Sequence, residues 1–390
     1  MIPSGRQLLQ IPGPTNVPER VLRAMDRAVV DHRSDEFAQL LPRIAPLLKQ
    51  VFGTKDGHIV VFSGSGTGAW ESAMVNTLKQ GDCVLSVANG HFGAGFGLSG
   101  RRLGFEVQEI VVPWGAEVPA DLIEDRLKAD KNGVIKAVLV VHNETSTGVT
   151  SDIGAVRRAM DAAGHDALLI VDAVSSLASM PFEFDEWGVD VALCGSQKGL
   201  MLPPGQAYLC ASARALEASK TGGSPRNYFE WGNQLRENIT GKFPYTPNTL
   251  MLFGLREALI MLVEEEGLDN VYARHRRMAG GVWAAVEAWG LKFMCQKPRF
   301  RSTTVTTVMT PEGIKGADLL ARTRNRFNLV LGTGIGDSAA KAFRMGHLGA
   351  LNELEVIGMV AGVEMALHEM GAPVKLGSGV AAAEEHFSAS

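Results

Sequence analysis

Between residues 58 and 210 the chain alternates short, nearly continuous apolar runs with segments whose apolar positions recur at helical spacing. The runs cover 58–62, 83–87, 107–112, 135–141, 168–171, 189–194 and 207–210. Apolar runs of this length, bounded by Gly, Asp and Asn, predict strands buried on both faces. Such strands belong to a mostly parallel sheet covered by helices. Beyond residue 250 the pattern changes. Helical periodicity covers 251–266 and 270–289, a Thr/Val-rich strand 302–309 follows, and then a helix over about 316–326. A Gly-rich loop is expected at 331–336, a last helix at 351–370, and a small-residue tail of low order at 376–390. The predicted organisation is α/β: an N-terminal arm (1–15), a large domain (16–262), a smaller α+β C-terminal domain (263–375) and the tail.

A chain of 390 residues can build more than one core, and 46% hydrophobic with 21% charged residues is ordinary for a soluble globular protein. The formal charge of −4, from 38 basic and 42 acidic residues, implies neither a nucleic-acid nor an acidic-membrane partner. Cys83, Cys194, Cys210 and Cys295 are widely spaced, which favours reduced thiols over a disulfide framework or a zinc site, so no metal is expected. The N-terminus lacks the apolar core of a signal peptide, and no apolar stretch is long enough to span a bilayer. A cytoplasmic protein is expected.

Functional residues of such a sheet belong at the carboxyl ends of its strands. Polar clusters fall there, at 63–68, 88–93, 142–148, 172–176 and 195–199. Two of them hold a lysine, Lys198, and a carboxylate, Asp172. Pyridoxal phosphate needs such a pair: an amine to bond its aldehyde, and an anion to keep its ring nitrogen protonated. Asp172 could equally cap the helix after it. The turn Ser63-Gly64-Ser65-Gly66-Thr67-Gly68 precedes a helical segment, so it is either a phosphate cradle or a tight strand-to-helix connection. It departs from the dinucleotide pattern, because Ala69 stands where the third glycine belongs. Phe92 is placed either to stack on a ring or to fill core. Arg344, between apolar residues, is a carboxylate clamp or a structural ion-pair partner.

In sequence, these segments resemble the class V, fold type I pyridoxal-phosphate aminotransferases, most closely the serine–, alanine– and aspartate–glyoxylate group. The matches are Pro12-Gly13-Pro14-Thr15-Asn16, Asp31-His32-Arg33-Ser34, the 63–68 turn, Asn143-Glu144-Thr145-Ser146-Thr147-Gly148, Asp172-Ala173-Val174-Ser175-Ser176, Gly195-Ser196-Gln197-Lys198-Gly199, Tyr245-Thr246-Pro247 and Arg344-Met345-Gly346-His347-Leu348-Gly349. The resemblance implies that Lys198 is the Schiff-base lysine and later a general base, and that Asp172 is the ring-nitrogen partner. It implies phosphate contacts from Ser65, Gly66, Thr67 and Gln197, a Thr145 hydrogen bond near the ring hydroxyl, and stacking by Phe92. Tyr245 and Thr246 would reach the phosphate of a neighbouring subunit, in a homodimer with shared sites. Arg344 would grip the substrate α-carboxylate. The implied reaction carries an amino group from L-serine to glyoxylate, giving hydroxypyruvate and glycine, with L-aspartate and alanine as alternative donors. Aspartate would need a second cation, for which Arg226, Arg236 and Lys242 are candidates. Two rivals are a cysteine desulfurase, which needs a mobile C-terminal cysteine that the 331–336 loop lacks, and a non-catalytic phosphate-binding protein using only the 63–68 turn.

Overall fold

The computed structural model describes residues 5–389, apart from the side chain of residue 337; residues 1–4 of the expected arm and residue 390 lie outside the described residues. All seven apolar runs form one seven-stranded sheet. In spatial order it holds His58–Gly64, Gly205–Ala211, Val191–Gly195, Leu168–Asp172, Ile135–Val141, Cys83–Ala88 and Glu106–Val111. Gly205–Ala211 runs antiparallel to both neighbours, and the other pairings are parallel. Two apolar cores lie against this sheet. Leu168–Asp172 is buried at every position, which is why its sequence shows no alternation. The edge strand Glu106–Val111 does alternate, with Glu106 and Gln108 more exposed than the residue after each, and its charges discourage edge pairing.

A second, four-stranded sheet joins Leu8–Gln10, Leu329–Thr333, Ala342–Gly346 and Val305–Met309 over a third apolar core. The N-terminal strand pairs in parallel with Leu329–Thr333, so the first and last parts of the chain share this sheet. Half of the expected Gly-rich loop is therefore strand. Gly332 pairs with Arg344, and a Cβ on it would lie 3.0 Å from both Arg344 Cβ and Pro12 Cδ. Its glycine serves close backbone approach rather than a turn.

The expected low-order tail is also corrected, for Ser378–Ala389 is a helix. It packs on Leu268–Ala288, where a Cβ on Gly281 would fall 2.3 Å from Phe387 Cζ. The sequence stretch reads as featureless because its buried face, Gly379, Ala383 and Phe387, holds a single large residue. Buried Glu364 anchors it by accepting hydrogen bonds from Trp289 Nε1 (2.9 Å), Gly377 N (2.5 Å) and Gly379 N (2.6 Å). Glu364→Ala strands three donors and is expected to cost about 3 kcal/mol in urea unfolding, since each buried unsatisfied group carries a penalty of its own. A loss under about 0.5 kcal/mol, the range of ordinary surface substitutions, would mean that apolar packing alone docks this helix.

Candidate active site

Three neighbouring parallel strands deliver their carboxyl ends to one place. Ile135–Val141 leads into Asn143, Glu144 and Thr145; Leu168–Asp172 ends in the aspartate; and Val191–Gly195 leads into Gln197 and Lys198. A cavity of about 150 Å³ opens there. Its wall includes Ser65, Gly66, Thr67, Phe92, Thr145, Asp172, Gln197 and Lys198, which are eight of the residues singled out in the sequence.

The Lys198 turn is tightly held. The Lys198 carbonyl accepts from Thr15 Oγ1 (3.1 Å) and from Met201 N (2.9 Å), and the ammonium donates to the Pro12 carbonyl. Met201 adopts φ +56°, a conformation that costs a non-glycine residue energy and marks a position fixed by its surroundings. The side chain lies over Gly13, where a Cβ would fall 2.6 Å from both Lys198 Cδ and Nζ. Burial, reinforced by the Arg344 cation, lowers the Lys198 amine to about 8, against a smaller upward pull from Asp172.

Asp172 is buried. Its Oδ2 accepts from Trp70 Nε1 (2.7 Å) and its Oδ1 from Val174 N (2.8 Å). Burial pushes its carboxyl up to about 6, while these two donors and Lys198 pull it back and Glu144 adds to the rise. Trp70 was missed in the sequence. It stands inside the helix Gly66–Thr77, stacks on Phe96 at 5.2 Å, and reaches a carboxylate 102 residues away. Nothing local distinguishes it from a core tryptophan.

That helix begins at the glycine-rich turn. Ser65 caps it by accepting from Gly68 N (3.3 Å), and a Cβ on Gly66 would come within 2.8 Å of Val174 Cγ2. Its N-terminus lies on the cavity wall, with a positive dipole end suited to an anion. Nearby, Gln197 Oε1 is buried without a protein partner. A helix N-terminus suited to a phosphate, an amide with unused capacity, a buried amine and a buried carboxylate together fit pyridoxal phosphate.

Arg344, on Ala342–Gly346, is buried beside the cavity rather than on its wall. Its Nε donates to Thr333 O (2.7 Å) and its Nη1 to Thr145 O (3.2 Å). Burial lowers its guanidinium to about 10, and Glu144 opposes the shift. Tyr245 and Thr246 stand apart from the wall: Tyr245 stacks on Tyr228 at 5.2 Å and donates to Asn227 O (3.0 Å), and Thr246 is exposed. Arg226 donates to Val75 O, Ser224 O and Ser219 O, so it holds together a loop. Arg236 bonds Asn233, Lys242 is exposed, and neither lines the cavity. Cys295 is buried and is likewise absent from the wall.

The family model described as aminotransferase class V matches residues 8–345. The chain is 50% identical over 389 residues to the serine–glyoxylate aminotransferase of Methylorubrum extorquens, spanning 98% of this chain and 96% of that protein. It is 45% identical to the L-aspartate–glyoxylate aminotransferase of Paracoccus denitrificans, spanning 97% and 95%. Among solved structures, the pyridoxamine–pyruvate aminotransferase of Mesorhizobium loti superposes with a TM-score of 0.92 at 28% identity, over 99% of this chain and 98% of that one.

Proposed function

The chain belongs to the class V aminotransferases, and within that family we propose that it moves the amino group of L-serine to glyoxylate, with pyridoxal 5′-phosphate as cofactor. The products are hydroxypyruvate and glycine. The observation that carries this reading is the convergence of Lys198, Asp172 and Gln197 with the N-terminus of Gly66–Thr77 on one cavity. Ser65, Gly66, Thr67 and Gln197 would hold the phosphate, Phe92 would lie against the ring, Thr145 near its hydroxyl, Asp172 at its nitrogen, and Lys198 at its aldehyde carbon. When bound, the cofactor supplies an electron sink for charge developing at the substrate α-carbon.

The rest is the work of the chain. Lys198 would carry the proton from the substrate α-carbon to the cofactor's aldehyde carbon, a task suited to an amine held near 8 rather than 10.5. Arg344 holds the α-carboxylate with the donors left over from Thr333 and Thr145. Hydrolysis releases the keto acid before glyoxylate enters, so ping-pong kinetics are expected.

Serine is favoured over aspartate by the wall itself. Its only charged side chains are Lys198 and Asp172, and the remaining polar ones are hydroxyls and amides such as Asn143, Thr145 and Ser175. On this wall a second substrate carboxylate would find no cation besides Lys198. In single half-reactions without glyoxylate, followed by cofactor absorbance, serine is expected to outpace aspartate, alanine and glutamate by about tenfold or more, as pocket mismatches of this kind allow. A faster response to aspartate overturns the donor assignment. A homodimer with shared sites, operating in the cytoplasm, completes the proposal. Tyr245 and Thr246, exposed or half-buried away from their own cavity, support it, and no helix among the described residues is long and apolar enough to cross a membrane.

A further inference from the structure

The helix His91–Arg102, which carries Phe92, has Gly90 at its N-cap and so no capping side chain of its own. Its first N–H groups are taken up from another segment. Glu144 Oε2 accepts from Phe92 N (3.0 Å) and Gly93 N (2.9 Å), and Ser146 Oγ accepts from His91 N (3.0 Å). Glu144 Oε1 in turn accepts from Ser146 N (3.0 Å) and Ser146 Oγ (2.7 Å). Glu144 is fully buried. Three of its four donors are main-chain N–H groups that cannot reverse, so the site matches a carboxylate and not a neutral amide. Burial pushes its carboxyl up, and the same four hydrogen bonds oppose that rise. Gly90 completes the fit: a Cβ there would lie 2.5 Å from Glu144 Cγ.

Between Glu144 and Ser146 stands Thr145. Its residue lines the cavity, and its carbonyl accepts from Arg344 Nη1. One three-residue turn therefore grips the helix that presents Phe92 and the strand that presents Arg344. We propose that Glu144 is a positioning residue whose buried carboxylate sets the ring-stacking face of Phe92 and the Arg344 clamp in register with each other. This rests on reading the cavity as the cofactor site, and it is independent of which amino donor is used.

The test is Glu144→Gln, loaded with pyridoxal phosphate and compared with wild type by far-UV circular dichroism, by the visible circular dichroism of the bound cofactor, and by kcat and KM for the donor. The expected result is retained secondary structure, a visible band reduced at least about twofold, and a donor KM raised about tenfold. Misplacement of a binding group by a fraction of an ångström suffices for effects of that size. Gly90→Ala keeps the carboxylate but presses on it, and should move both readouts in the same direction. It decides the matter if Glu144→Gln does not fold. Loaded variants whose cofactor band and KM stay within about twofold of wild type, far short of what misplacement of a reacting group costs, overturn the positioning role while leaving the functional reading intact. Wild-type protein that takes up no pyridoxal phosphate overturns both.

Discussion

Lys198→Ala is expected to lower turnover of donor and glyoxylate by about 10⁴-fold or more, because it removes both the covalent anchor and the proton carrier. Nothing else on the cavity wall can replace it, since its only other charged side chain there is Asp172. Folding should survive, because the turn is held by Thr15 and Met201 through the Lys198 main chain. Lys198→Arg keeps a cation but not a titratable amine, and should be equally inactive. The pH dependence gives a separate check. Burial and Arg344 hold the Lys198 amine near 8, so its neutral, nucleophilic fraction rises through pH 8 and levels off above it. The rate of cofactor capture by the free protein should follow that curve. Capture that climbs only near pH 10.5, or a Lys198→Ala protein with a normal rate, would sink the assignment.

What was legible in the chain follows from which interactions are local. The inner strands of the large sheet were readable because burial on both faces leaves a nearly uninterrupted apolar run, and the half-exposed edge strand Glu106–Val111 through its Val107, Ile110 and Val111. Strand ends were readable because chemistry at a parallel sheet collects there, and eight cavity residues came from those clusters. Trp70 and Glu144 escaped for the opposite reason. Each acts on a partner far along the chain, Trp70 on Asp172 and Glu144 on the helix at Phe92, and no local periodicity encodes such a contact. Glu144 stood inside a recognised motif yet carried no role, because a side chain that caps someone else's helix looks like any turn residue. The Ser378–Ala389 helix escaped because glycine and alanine weaken every periodic signal, even where they make the closest packing. Arg226, a candidate for a second cation, donates to three main-chain carbonyls, contacts that no local sequence signal announces.

Asp172→Asn is expected to reduce kcat by about 10³-fold with the fold intact, the scale seen when a preorganised charge at a reacting centre is lost. The substitution keeps the shape but not the anion, and its amide must turn an NH₂ toward either Trp70 Nε1 or Val174 N. Trp70→Phe separates charge from geometry. It preserves a ring to stack on Phe96 while deleting one donor that favours the ionised carboxyl. In the free protein Asp172 titrates near 6, raised by burial and held down by Val174 and Trp70. A ring cation binds only against the carboxylate, so below that pH binding must first expel a proton, and cofactor affinity should fall about tenfold per pH unit. Removing the Trp70 donor raises the Asp172 carboxyl further, which moves the onset of that fall to higher pH. Cofactor titrations between about pH 5 and 8, a window spanning the shifted carboxyl, measure both onsets. An affinity that is flat with pH in wild type, or an onset unmoved in Trp70→Phe, would show that Asp172 does not serve as the counter-ion of a cationic ring.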